Sequence, residues 1–273
     1  MVGSCYPKTL EEALAAKAES PSLVPYAGGT DWMVNRRDET PLLFLSYIPS
    51  LREITNMQDG IKIGACCTYT QLLESDATPG ILREAIIEVA SPAIRNMGTL
   101  GGNICNASPA GDTLPVLYIL NARVVLASVN GKRELPISSF IRGVRSIDLK
   151  PDELLESIII PNAEITRTYY KKVGARRALA ISKASFAAAM RVENGVVTAM
   201  PIAFGSVAPT VVRRPEIESV LIGKTPAQIR DMKDNIADMY GPYITPIDDQ
   251  RSTAEYRKRV CLALLHDFLS QLS

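Results

Sequence analysis

The sequence predicts an α+β protein: a mixed helix-and-strand region of about 160 residues, then an antiparallel hairpin sheet with helices. Three observations carry this. Asn130-Gly131 and Asn194-Gly195 each separate two runs of strand length, the strongest short-range signal of a β-hairpin. Thr9–Glu12, Thr225–Gln228 and Ser252–Glu255 each place a hydroxyl three residues before Glu or Gln, the capping box that opens a helix. Size is the third: 273 residues, 47% hydrophobic and 22% charged, suit two ordinary domains. A composition shift near Pro161–Arg167 sets the expected boundary. It gives domains 1–165 and 166–273, the first in subdomains of about 1–57 and 58–165.

The elements follow in order. The first helix starts after Thr9, where Leu10, Ala13, Leu14 and Ala18 recur near helical spacing, and stops at Ser20-Pro21. Leu23–Tyr26 is a short strand running into Ala27-Gly28-Gly29-Thr30-Asp31. Leu42–Ile48 is an apolar run of strand length, and Ile61–Gly64 alternates after Asp59-Gly60. Helical stretches cover about 70–74 and 81–90. Gly98, Gly101, Gly102 and Gly111 punctuate Asn96–Leu117. Arg123–Ser128 and Arg133–Ile137 flank the first hairpin turn, and Glu153–Ile160 is a strand closed by Pro161. Ser185–Val192 and Val196–Phe204 flank the second turn. Two helices close the chain, the last running to about Leu269.

Charge and residue counts exclude several functions. A net charge of +1 gives no polybasic surface for nucleic acid or anionic lipid. No apolar run approaches the roughly 20 residues of a membrane span. Met1-Val2-Gly3-Ser4-Cys5 leads straight into a polar amphipathic segment, so no signal peptide and a cytoplasmic location are expected. Five cysteines at irregular spacing are no disulfide framework, and no C-x-x-C supports a metal or cluster site on this chain. The one histidine, His266, sits among Leu262, Leu264, Leu265, Phe268 and Leu269, which suits a packed or interface residue. No side chain stands out as a catalytic acid, base or nucleophile, so chemistry should rest on a bound cofactor.

Two glycine pairs are candidates for holding one: Ala27–Asp31, and Thr99-Leu100-Gly101-Gly102-Asn103. Paired glycines let backbone N–H groups approach a phosphate closely, and a side chain at Gly101 should expel the ligand while sparing the fold. Neither is a P-loop or a Rossmann fingerprint. On spacing alone either pair could be a plain turn. Asn103, Asn106, Ser108, Asp112 and Thr113 could bond a sugar, or satisfy only their own loop.

Ala27–Asp31, together with the run from Ile94 through Thr99-Leu100-Gly101-Gly102-Asn103 to Asp112-Thr113, closely resembles the FAD-binding medium subunit of the molybdenum hydroxylases. That is the xanthine dehydrogenase and carbon monoxide dehydrogenase family. Pro151–Ile158 and Ala203–Thr210 resemble its later strand and C-terminal domain, so the likeness spans the chain. The resemblance implies a two-subdomain FAD-binding fold, PCMH or vanillyl-alcohol-oxidase-like, followed by an antiparallel sheet-and-helix domain. It implies that Val24, Pro25, Tyr26, Ala27, Gly28, Gly29, Thr30 and Asp31, with Thr99, Leu100, Gly101, Gly102 and Asn103, hold the FAD pyrophosphate. Asp112 would lie by the ribose, Leu155 by the flavin or adenine, and Lys172 by the flavin. No metal ligand and no catalytic residue are expected. The lone histidine at 266 argues for non-covalent FAD, since covalent relatives of the broad fold use an earlier histidine. Molybdopterin and iron–sulfur clusters would sit on a molybdenum-binding large subunit and a two-cluster small subunit. Electrons would pass through this chain to NAD or another acceptor, and the chain alone should not oxidise the hydroxylase substrate. The alternatives are a stand-alone flavin oxidoreductase of the same broad fold and a non-enzymatic nucleotide-binding protein.

Overall fold

The computed structural model describes residues 3–35 and 39–273; Met1 and Val2, read above for a leader, lie outside them. The chain divides into two compact units. The first comprises Met1–Pro79, Ala90–Ala107 and Asn121–Asn162; the second comprises Gly80–Val89, Ser108–Leu120 and Ala163–Ser273.

In chain order come α1 (Leu10–Glu19), β1 (Val24–Tyr26), β2 (Leu42–Phe44), β3 (Ile54–Met57), β4 (Gly60–Gly64) and α2 (Tyr69–Glu74). α3 (Gly80–Ile87) belongs to the second unit, α4 (Pro92–Met97) and α5 (Leu100–Asn106) to the first, and α6 (Leu114–Ile119) to the second. The first unit ends with β5 (Arg123–Ser128), β6 (Gly131–Pro136), the one-turn α7 (Ile137–Phe140), β7 (Ile141–Gly143), β8 (Ser146–Ile147) and β9 (Leu154–Pro161). The second continues with β10 (Arg167–Val173), β11 (Ala184–Glu193), β12 (Val196–Ala199), β13 (Ile202–Gly205) and β14 (Val212–Arg213). It closes with α8 (Pro215–Glu218), α9 (Pro226–Asp231), α10 (Lys233–Tyr240) and α11 (Ala254–Ser270).

The first unit is built on an antiparallel sheet ordered β3-β4-β9-β5-β6. Its alternating strands bury Ile61, Ile63, Val124, Leu126, Ile158 and Ile160. Each such side chain contributes roughly 1.5–3 kcal/mol of transfer free energy. β3 escapes the sequence pattern because it is an edge strand with one half-buried and three exposed residues. β1 and β2 pair in parallel, and Leu43 sits with Leu10, Ala13, Leu14 and Leu23 in a core under α1. The expected strand at 42–48 ends at Phe44, because the Ile48 N–H turns back to the Leu45 carbonyl before Pro49. At α1, Thr9 Oγ1 accepts from the Glu12 N–H at 3.2 Å, but the Glu12 carboxylate takes the Lys8 N–H, so half of the expected box forms.

The second unit is built on the sheet β10-β11-β13-β14, with β12 also on β11. Asn194 (φ 50°) and Gly195 (φ 79°) both lie in the left-handed region, as a type I′ hairpin turn demands. The return strand breaks into β12 and β13 at Met200-Pro201, where proline cannot donate to the ladder. Phe186, Phe204, Tyr240 and Phe268 form its ring cluster, with centroids 5.1–5.9 Å apart. α11 is capped by Thr253, one residue later than the expected Ser252. His266 is not packed in the core: it is 42% exposed on α11, 3.3 Å from Asp234.

Candidate cofactor site

The first glycine pair lies where β1 leaves its sheet. Gly29 has φ +69°, and a Cβ there would lie 1.9 Å from the Tyr26 hydroxyl. A Cβ on Gly28 would lie 1.7 Å from the Met97 carbonyl oxygen, so the loop presses flat on the end of α4. The Met33 N–H donates to the Gly29 carbonyl at 2.9 Å and leads the loop into a short 3₁₀ turn, Trp32–Asn35. Among the described residues, the N–H groups of Gly28, Gly29, Thr30, Asp31 and Trp32 reach no hydrogen-bond acceptor. Backbone donors in a fold are nearly always paired. A consecutive run, half-buried except at the exposed Asp31, thus leaves its amides open and could receive an anion.

The second pair is built differently. It is no loop: Gly101 and Gly102 form the first turn of α5, with Thr99 as N-cap. Its donors are committed. Leu100 N–H goes to Cys67 O (3.1 Å), Gly101 N–H to Ala65 O (3.0 Å), Gly102 N–H to Thr99 Oγ1 (3.0 Å) and Asn103 N–H to Thr99 O (3.0 Å). A Cβ on Gly101 would lie 2.5 Å from the Ala65 carbonyl and 2.9 Å from its Cα. Gly101 therefore serves close backbone packing, which corrects the expectation that a side chain there would spare the fold. Leu155 lies in β9, on which α5 packs, and is buried.

In the second unit, Lys172 Nζ donates to Asp112 Oδ2 at 2.7 Å and to the Glu88 carbonyl at 2.7 Å. Lys171, one residue earlier, is exposed, so the ion pair belongs to Lys172. Burial pushes the Asp112 carboxyl up to about 6, against the pull of the adjacent ammonium. Asp112 Oδ1 is buried with no partner among the described residues. The Tyr170 hydroxyl donates to the Asp112 carbonyl at 3.2 Å, and burial holds its pKa well above the usual value.

Other polar candidates are accounted for locally. Ser108 Oγ accepts from the Ala110 N–H, and Thr113 stands at the N-cap position of α6 without a side-chain cap bond. Asn106 instead donates to Asp31 Oδ1 at 3.1 Å, and Arg145 reaches Asp31 Oδ2 at 3.7 Å. Nothing in the sequence around Gly143-Val144-Arg145 marks that arginine. Burial pushes the Cys66 and Cys67 thiols up to about 12 and about 11, so neither is a nucleophile at neutral pH.

Residues 1–163 match the family model described as the FAD binding domain in molybdopterin dehydrogenase. Residues 168–272 match the CO dehydrogenase flavoprotein C-terminal domain. The glyceraldehyde dehydrogenase medium chain of Sulfolobus acidocaldarius is 31% identical, covering 94% of this chain and 93% of that one. The carbon monoxide dehydrogenase medium chain of Hydrogenophaga pseudoflava is 31% identical over 92% of this chain and 90% of its own length. A chain of reconstituted CO dehydrogenase from Oligotropha carboxidovorans superposes with a TM-score of 0.87 at 25% identity, covering 98% of this chain and 97% of that one. Fold and site thus define an FAD-binding flavoprotein chain. It belongs to the FAD-binding medium subunits of the xanthine dehydrogenase/CO dehydrogenase-type molybdenum hydroxylases. The open amides of loop 28–32 fit a ligand that carries phosphates. Among the described residues no helix is long and apolar enough to cross a membrane.

Proposed function

We propose that this chain is the electron-transfer flavoprotein of a three-subunit molybdenum hydroxylase and works in the cytoplasm. Bound FAD supplies the redox chemistry that carries electrons from a two-cluster iron–sulfur subunit to NAD or another acceptor. The chain's own part is to bind and orient. The carrying observation is the run of uncommitted N–H groups at Gly28–Trp32, a cradle for the pyrophosphate, with Val24, Pro25, Tyr26 and Ala27 leading into it. Thr99 to Asn103, at the start of α5, belong to the same proposed site, and Leu155 lies in β9, on which α5 packs. Asp112 offers its free oxygen to a cofactor hydroxyl, while Lys172 keeps the carboxylate in place. In this reading the FAD-binding region is 1–165 and the C-terminal domain 166–273.

A docking face for the iron–sulfur partner is supported by exposed aliphatic side chains beside the cradle: Met33, Val34, Met97 and Val144, each more than half exposed. The molybdenum subunit selects the substrate, so this chain alone should oxidise no purine, aldehyde or N-heterocycle. Anaerobic mixing of the FAD-loaded chain with such a substrate should leave the flavin colour intact, and bleaching should need both partners. Bleaching by the single chain would overturn the relay. Acid precipitation should release FAD into the supernatant; flavin retained on the pellet would refute non-covalent binding.

A further inference from the structure

The reading of loop 28–32 as a pyrophosphate cradle leaves an electrostatic difficulty. The loop ends in Asp31, whose carboxylate is about half exposed beside the open amides. A lone carboxylate there would repel a pyrophosphate, and backbone dipoles alone would have to overcome it. The fold supplies a cation from the far side. Arg145 stands at the tip of the β7–β8 hairpin with φ +52°, a left-handed conformation that is strained for a non-glycine residue. Its N–H donates at 3.0 Å to the carbonyl of Ala107, itself left-handed (φ 44°) at the C-cap of α5. Two strained residues therefore lock each other and fix where the Arg145 side chain begins. From there the guanidinium reaches Asp31 at 3.7 Å, too long for a hydrogen bond, and is 60% exposed. Among the described residues it makes no hydrogen bond, so its fork of donors is open. Asn106, by contrast, holds the other Asp31 oxygen firmly at 3.1 Å.

We propose that Arg145 is a phosphate-binding residue of this site: Asp31 holds its guanidinium ready beside the loop, and the arginine donates to the cofactor pyrophosphate. Asn106 keeps Asp31 pointed at the arginine and away from the phosphates. The inference rests on the loop being the pyrophosphate cradle. Guanidinium is the cation suited to this, since its planar fork matches two phosphate oxygens.

The test is FAD affinity of the full-length apoprotein, read from flavin fluorescence on titration. Wild type, Arg145→Gln, Arg145→Lys, Asp31→Asn and the Arg145→Gln/Asp31→Asn pair are compared. Loss of one charge-assisted contact should weaken Arg145→Gln about tenfold or more. Arg145→Lys should recover part of the loss. Raised salt should weaken wild type more than Arg145→Gln. Asp31→Asn should lose far less affinity than Arg145→Gln, because removal of the repulsion offsets the lost hold on the arginine. If Arg145→Gln binds FAD as wild type does, the inference falls. It also falls if Asp31→Asn and Arg145→Gln lose affinity equally and the pair loses no more, for the contact would then only hold the loop. Failure of the wild-type chain to bind FAD at all would instead overturn the cradle.

Discussion

The two glycine pairs of the first unit look alike in sequence and treat their backbone donors in opposite ways. At Gly28-Gly29 the chain leaves its donors uncommitted and takes up a left-handed glycine. At Gly101-Gly102 every first-turn donor has an acceptor within the protein. Glycine serves the close approach of backbones at both sites, Gly28 against Met97 and Gly101 against Ala65, but only the first pair leaves its amides open. On the proposed reading, ligand affinity would rest on the open amides of the first motif, while the second serves the fold alone. The same division runs through the single carboxylate of Asp112, with one oxygen on Lys172 and the other left open.

Substitutions can break that contrast. The largest effect should come from Gly101→Val. Its Cβ meets Ala65 backbone, which cannot yield cheaply, so stability should fall by about 3–5 kcal/mol in urea unfolding of the apoprotein. A stable Gly101→Val that has merely lost FAD would merge the two roles. Next comes Asp112. Its folded pKa of about 6 lies above the unfolded carboxylate value, so the native state binds the proton more tightly. Apoprotein stability from this group is full below pH 4 and is lost as pH rises through about 6, a swing of up to about 3 kcal/mol. Asp112→Asn should flatten that slope; an unchanged slope would mean the carboxyl is not desolvated. Gly29→Ala should strain φ and crowd the movable Tyr26 hydroxyl, weakening FAD by about tenfold while the melting temperature moves little. A large melting shift with normal affinity would reverse the assignment of the loop. Thr99→Ala should cost about 1 kcal/mol of stability through loss of the cap on α5, with FAD binding otherwise kept.

Both hairpins, the Thr225 helix start and the strand before Pro161 were legible because each rests on local chemistry that the chain writes in adjacent residues. β3 and β10 were not. β3 is an edge strand with little to bury, and β10 carries a half-buried Arg167 bonded to Gln271 and an exposed Lys171, so neither shows an apolar run. The glycine pairs were visible as motifs, but their roles depend on acceptors 30 or more residues away, at Ala65 and Cys67. The ion pair of Asp112 with Lys172 spans 60 residues and had no signal, since the resemblance placed each residue by the cofactor separately. Arg145 had no signal, since what distinguishes it is a backbone angle and a neighbour far away in sequence.

Gly28 pressing on the Met97 carbonyl has a consequence for how such a module can be exchanged between proteins. The segment that would hold the cofactor and the segment that supports it meet with no side chain between them. A graft of residues 26–31 into another scaffold would arrive without its floor unless residues 97–103 travelled with it. Swapping either stretch alone should yield a chain that folds poorly or stays colourless, and swapping both together should restore the yellow protein. The two motifs are in that sense one heritable part, split across the sequence.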